Sequence, residues 1–336
     1  MRAMVLDNPQ PIETSPLQQR PMPRPTPGPD EVLVRVRCCG LCHTDLHTVE
    51  GELNLPKLPI VPGHQIVGFV DAVGDAVSNL REGDRVGVPW LHSTDGTCEF
   101  CREDLENLCD AAQFTGFHTD GGYAEYTLAR EAFALPIPSV FSDESAAPLL
   151  CAGIIGYRAF QLSRIVPGER LGLFGFGASA HLVLQFAKHL GCEVWVFTRS
   201  ESHRKLARQL GAAWVGGAGE TAPGQLDAAI VFAPAGAIVP EALRLLRKGG
   251  TVALAGITMT AIPEMDYSLL YQERSIRSVA NCTRQDGRDF LDLAADADLH
   301  PSVRTYPLAR ANEALADLKH SRIEGAGVLL VETQRQ

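Results

Sequence analysis

No stretch of the 336 residues is apolar for long enough to span a bilayer. The segment Met1 to Gln10 carries polar and charged side chains and a proline where a secretory leader needs a continuous apolar run, so a cytoplasmic chain is expected. Cations are also scarce: 30 Lys and Arg stand against 40 Asp and Glu, a formal charge of -10. Such a surface repels phosphate backbones and anionic headgroups, which argues against nucleic acid and membrane partners. Repeats and low-complexity tracts are missing too. What remains is an ordinary globular composition, 45% hydrophobic and 21% charged, in a chain long enough for two domains. Nine cysteines, an odd number with several at short spacings, fit metal ligands and reduced thiols better than a disulfide framework.

Up to about Pro138 the chain reads as short valine-rich runs, Glu31 to Arg37, Ile66 to Val73 and Arg85 to Val88, separated by glycine and proline. Pro21 to Pro29 is an extended surface segment, since each proline disfavours helix in the residue before it. After Pro148, strand candidates alternate with helical periodicity: Arg170 to Gly175, Ala178 to Leu190, Glu193 to Thr198 and Glu201 to Leu210. Leu226 to Phe232, Ala237 to Arg247, Thr251 to Gly256 and Ser275 to Ala280 continue the pattern. This alternation calls for a doubly wound α/β domain with a parallel sheet. Helical stretches follow at Asp286 to Ala297 and Ala309 to His320, and a last strand candidate at Gly327 to Val331 would return to the first domain.

Three short motifs carry chemistry. Cys39-Gly-Leu-Cys42-His43-Thr44-Asp45-Leu-His47 is followed by Pro62-Gly63-His64-Gln65 and later by Leu149-Leu-Cys151-Ala-Gly. A lone cysteine is usually a small buried hydrophobe. Together, Cys42, His64 and Cys151 would make a three-ligand zinc site with the fourth position free, the catalytic arrangement. Cys98, Cys101 and Cys109, with Asp95 ahead of them, form a second cluster. Further on, the Arg170 to Gly175 strand candidate runs into Gly175-Phe-Gly177-Ala178-Ser179-Ala180, a G-x-G-x-x-A turn that opens a helix. Its glycines allow a tight turn and close approach of backbone to a pyrophosphate. About 20 residues on, where an acidic residue would hold the ribose of NAD, the chain reads Thr198-Arg199-Ser200, with His203, Arg204 and Lys205 beyond. An uncharged residue with cations nearby favours NADP, with NAD as the alternative.

These segments resemble the zinc-dependent medium-chain alcohol dehydrogenases over nearly the whole chain, and the CHTDLH run is similar to that of the small tetrameric fermentative type. The resemblance implies a GroES-like β-rich catalytic domain at 1–150 and 287–336 and a Rossmann doubly wound parallel-sheet domain at 151–286. It implies that Cys42, His64 and Cys151 bind catalytic zinc, that Asp45 orients His64, that Thr44 and His47 relay the alcohol proton, and that His43 contacts the cofactor pyrophosphate. Zinc would polarise the substrate oxygen and lower the alcohol's pKa so that hydride can leave. Trp90 falls where the family narrows its pocket towards short primary alcohols. A homodimer or homotetramer acting on a small primary or aromatic alcohol is expected.

Two positions depart from the family pattern. Gln65 replaces the usual glutamate after the ligand histidine and removes a negative charge beside the metal. Asp95 replaces the first cysteine of the structural zinc lobe; its oxygen can still ligate, so a closed site of Asp95, Cys98, Cys101 and Cys109 is retained. Competing readings are a specialised zinc-dependent carbonyl reductase, a zinc-free reductase of the same superfold, and a non-catalytic zinc or dinucleotide binding protein. The ligands at 42, 64 and 151 count against the second, and an open site beside a proton relay counts against the third.

Overall fold

The computed structural model describes residues 1–331. Within them the chain divides into two compact units, one made of Met1–Cys151, Cys282–Ala295 and the chain from Pro301 onward, the other of Ala152–Asn281 and Asp296–His300. The division falls after Cys151 and before Cys282, one and five residues from the boundaries expected from sequence, and it moves Asp296–His300 into the second unit.

The first unit is built on Glu31–Leu41, an extended run whose side chains are mostly buried. It pairs antiparallel with Gln65–Val73, Tyr126–Arg130 and Ala326–Leu330. Arg85–Val88 and Leu135–Pro136 extend the sheet on one side, and Val303–Pro307 lies parallel to Ala326–Leu330 on the other. Glu31–Leu41 runs four residues beyond the expected Arg37 because Cys38 to Leu41 find partners in the returning carboxyl-terminal strand, a pairing that no local pattern announces. Val34, Val36, Ile66 and Leu329, all fully buried, meet in the core of this unit.

In the second unit the sheet order is Trp214–Gly216, Glu193–Phe197, Arg170–Phe174, Leu226–Val231, Leu246–Leu254, Ser275–Ser278, all parallel. That is the doubly wound order, with the reversal between Arg170–Phe174 and Leu226–Val231, the place where such sheets take their ligands. The helices at Ala178–His189 and Glu201–Gln209 end within a residue of their expected limits. The stretch expected to be helical up to Arg247 stops at Leu245, and Leu246 already belongs to the next strand, which sequence placed only from Thr251. A helix at Ala152–Ser163 has no counterpart in the sequence reading, because AGIIGYRAFQLS is apolar on most faces and shows no clean period.

If the carboxyl-terminal strand completes the first core, Leu329→Ala should cost about 2–5 kcal/mol, the range for truncating a fully buried leucine. Urea unfolding followed by circular dichroism measures this, and an unchanged midpoint would show the strand to be dispensable.

Candidate active site

Strand register brings the first two sulfur and nitrogen donors together. Gly40 pairs with Gln65 across the sheet, so Cys42, just past the end of one strand, and His64, just before the start of the other, are neighbours although 22 positions apart. Cys151 follows the buried turn Ala147–Leu150, which packs on the same strands. The Pro62-Gly63-His64 turn needs its glycine: Gly63 has φ +101°, and a Cβ there would lie 2.4 Å from the Tyr123 ring.

Cys42 is the N-cap of the helix His43–Glu50. The Cys42 backbone N–H donates to Asp45 Oδ2 at 2.8 Å, and the Thr44 N–H points at Cys42 Sγ at 3.4 Å. The other Asp45 oxygen lies 3.0 Å from His64 Nδ1, with both side chains only 2% exposed. This turns His64 Nε2 towards Cys42 Sγ, 3.4 Å away, while Cys151 Sγ stands 3.9 Å from Cys42 Sγ. A tetrahedral zinc with bonds of roughly 2.0–2.3 Å spaces its donors by about 3.5–3.8 Å, so Cys42 Sγ already stands near ligand separation from both partners, and all three donor atoms lie within 4.8 Å of one another. Burial opposes charge on His64, but the Asp45 carboxylate and the Cys42 sulfur outweigh it and raise its pKa to about 10. The hydrogen bond from Cys151, together with His64, holds the Cys42 thiol well below its ordinary value. The two groups therefore favour a thiolate beside an imidazolium, and a zinc ion bound there would take the place of the His64 Nε2 proton.

Around these donors, Thr44 is buried and His47 is partly exposed on the same helix. His47 Nδ1 lies 2.6 Å from Glu52 Oε2, a partner the sequence reading missed, although an acid so soon after the helix end was the available signal. His43 is exposed on the helix's first turn. The Trp90 ring lies edge-on to His64 at 4.6 Å, and Phe114, Phe117 and His118 continue the aromatic wall. Those three residues were also missed, since only the antiparallel pairing of Leu91–Ser93 with Gln113–Phe114 brings them to Trp90. Gln65 is 1% exposed, and its amide nitrogen has no hydrogen-bond partner among the described residues.

The second cluster also comes together, with ligand atoms of Asp95, Cys98, Cys101 and Cys109 all within 4.8 Å of one another. Asp95 Oδ1 accepts from the N–H groups of Cys98 and Thr97 at 2.9 and 2.8 Å, which keeps its carboxyl far below the usual range. The carboxylate thus forms the turn and also faces the Cys98 and Cys101 thiols.

In the second unit Gly175 sits at φ +89°, and a Cβ there would crowd Ala233 N at 3.0 Å. A Cβ at Gly177 would meet nothing within 4 Å, so the turn leaves open space before the uncapped N–H groups of the helix Ala178–His189. That cradle suits a pyrophosphate. Thr198 is buried, Arg199 is exposed, and Ser200 caps the next helix by accepting from the His203 N–H at 3.4 Å. Arg204 is held by Thr198 O and by Glu220.

Comparison with known proteins places these features in context. A family model described as alcohol dehydrogenase GroES-like domain matches residues 28–139, and one described as zinc-binding dehydrogenase matches 180–296. The chain is 48% identical to a probable alcohol dehydrogenase of Mycobacterium tuberculosis, over 98% of this chain and 97% of that one. Its fold is similar to that of a cinnamyl alcohol dehydrogenase from Sorghum bicolor, with TM-score 0.90, 26% identity, and 100% and 99% of the two chains covered. It is also similar to an acetophenone reductase from Geotrichum candidum solved in complex with NAD, with TM-score 0.88, 28% identity, and 98% and 96% covered.

If Asp45 orients the ligand histidine, Asp45→Asn should weaken zinc binding by about 10–100-fold in competition with a chelating dye. If the Asp95 cluster holds a second zinc, Asp95→Ala should lower the zinc content from two per chain to one and leave the affinity of the remaining ion unchanged. A variant that lost both ions together would contradict two independent sites.

Proposed function

The chain belongs to the zinc-dependent medium-chain alcohol dehydrogenase family, and from that membership we propose how its residues divide the reaction. The protein is an oxidoreductase acting on alcohols and aldehydes with zinc and a nicotinamide dinucleotide. Our reading is reversible oxidation of a small primary or aromatic alcohol, with the first unit catalytic and the second holding the dinucleotide. The convergence of Cys42, His64 and Cys151 on one ligand-sized space carries it.

Zinc held by those three side chains would supply the Lewis acidity that makes an alcohol proton easy to lose, and the nicotinamide would take the hydride. The chain's own task is then to move the proton. The Thr44 hydroxyl can accept it while donating its own, and His47, three residues on and so on the same helix face, can pass a proton to water with Glu52 bracing its Nδ1. Asp45 holds Cys42 and His64 in place. Trp90, with Phe114 and Phe117, would press on the substrate carbon chain and favour short or flat alcohols. Asp95, Cys98, Cys101 and Cys109 fit a second, structural zinc. Exposed Arg199 and the lack of an acidic residue at 198–200 support NADP over NAD. The exposed edge strand Ser275–Ser278, with Tyr267 and Tyr271 at 73% and 60% exposure, supports assembly of copies into a dimer or tetramer. The nine free thiols support a reducing compartment such as the cytoplasm.

Nicotinamide reduction by the purified protein over short, branched and aromatic alcohols, with NAD and NADP in parallel, tests the reading. Turnover should be abolished by a chelator, and Thr44→Ala should lower kcat by about a hundredfold or more. Chelator-resistant turnover would sink the metal role, and a Thr44→Ala enzyme at full rate would sink the relay. Gln65→Glu should change turnover and its pH profile; identical profiles would remove any role for the missing charge.

A further inference from the structure

Beyond the carboxyl ends of Glu193–Phe197 and Trp214–Gly216 an ion pair occupies the ground where the ribose end of a dinucleotide is recognised in a doubly wound sheet. The two strand ends are tied by the Thr198 N–H donating to Gly216 O at 2.8 Å. Arg204, from the helix Glu201–Gln209, reaches over them. Its Nε donates to Thr198 O at 2.9 Å and its Nη2 to Glu220 Oε1 at 2.8 Å. The backbone lies close underneath, since a Cβ at Gly217 would stand 3.2 Å from Glu220 Oε1 and 3.4 Å from Arg204 Nη2. The Arg204 side chain is 22% exposed and that of Glu220 is 53% exposed, so the guanidinium is committed while the carboxylate can leave. Arg199, by contrast, is exposed and has no ion-pair partner among the described residues.

The loop Thr198-Arg199-Ser200 lacks the acid that would hold a ribose 2′-hydroxyl, yet a carboxylate from beyond the neighbouring strand has come to the same place. We propose that Glu220 is a cofactor-specificity residue whose carboxylate competes with the 2′-phosphate of NADP for the Arg204 guanidinium. This rests on the reading of residues 198–204 as the ribose end of the dinucleotide site. A 2′-phosphate either displaces Glu220 from Arg204 or stands beside it and is repelled. Both cost NADP, and neither touches NAD, whose 2′-hydroxyl needs no cation. Arg199 is then the cation the phosphate meets first, and discrimination between the two cofactors is narrower than the arginines alone would produce.

Binding rather than turnover tests this. Adenosine 2′,5′-bisphosphate and 5′-AMP, which differ only in the 2′-phosphate, are titrated calorimetrically into the wild-type protein, Glu220→Gln, and Glu220→Gln combined with Arg204→Gln; NADPH and NADH are followed by nicotinamide fluorescence. Glu220→Gln should tighten the bisphosphate and NADPH by about three- to fivefold, the size of an exposed ion pair, and 5′-AMP and NADH by less than about twofold. The gain should shrink at high salt and vanish in the double variant. Equal changes for both members of each pair, no change at all, or a gain that survives loss of Arg204 would overturn the proposal. The NADP reading is separately decided: wild-type protein that binds NADH better than NADPH, with NADPH binding unaltered by Arg199→Ala, removes it, whereas a selective gain in Glu220→Gln would still establish the competition.

Discussion

The two oxygens of the Asp45 carboxylate tie the Cys42 backbone N–H to the His64 imidazole, and the first unit's chemistry depends on that tie. The same contacts cap the helix His43–Glu50, so the group that orients one ligand also starts the helix that carries Thr44 and His47. Helix capping satisfies N–H groups that would otherwise face the interior unpaired. Here the cap residue is itself a proposed zinc ligand, and local backbone stability and donor geometry come from one set of atoms. Loss of the carboxylate would leave a buried imidazole without its partner as well as a frayed helix start.

Register supplies the second constraint. Pairing of Gly40 with Gln65 sets Cys42 beside His64, and a slip of one residue would carry every side chain of Gln65–Val73 to the other face. The long buried strand Glu31–Leu41, held by three antiparallel neighbours, makes such a slip costly. Its far end pairs with the carboxyl-terminal strand, so chain from both ends of the sequence builds the sheet beneath the ligands.

The second unit handles charge differently. Its turn at Gly175 and Gly177 offers backbone N–H groups and open space with no side chain involved, while on our proposal selectivity at the ribose end falls to the Arg204–Glu220 ion pair. Exposed ion pairs contribute little to stability. They can still shift a preference between two cofactors that differ by one phosphate, because that preference needs only a small difference in free energy.

Residue types and their order already told much of this. The valine-rich runs, the alternation after Pro148 and the G-x-G-x-x-A turn are short-range patterns, and they marked the sheet-rich part, the doubly wound part and the strand-turn-helix at Gly175 to within a few residues. The candidate ligands Cys42, His64 and Cys151 were visible through the segments that carry them and their likeness to the family, since a cysteine or histidine taken singly is more often structural. The helix Ala152–Ser163 and the extension of Glu31 to Leu41 were not visible, since apolar residues spread around the helix blur its period and strand length is set by partners. Glu52 against His47, the ring wall of Phe114, Phe117 and His118 against Trp90, and Glu220 against Arg204 were decided only by tertiary structure. The sequence by itself determined which groups are available; which of them meet depended on strand register and crossover topology, because contacts between distant segments leave no mark in the local order of residues.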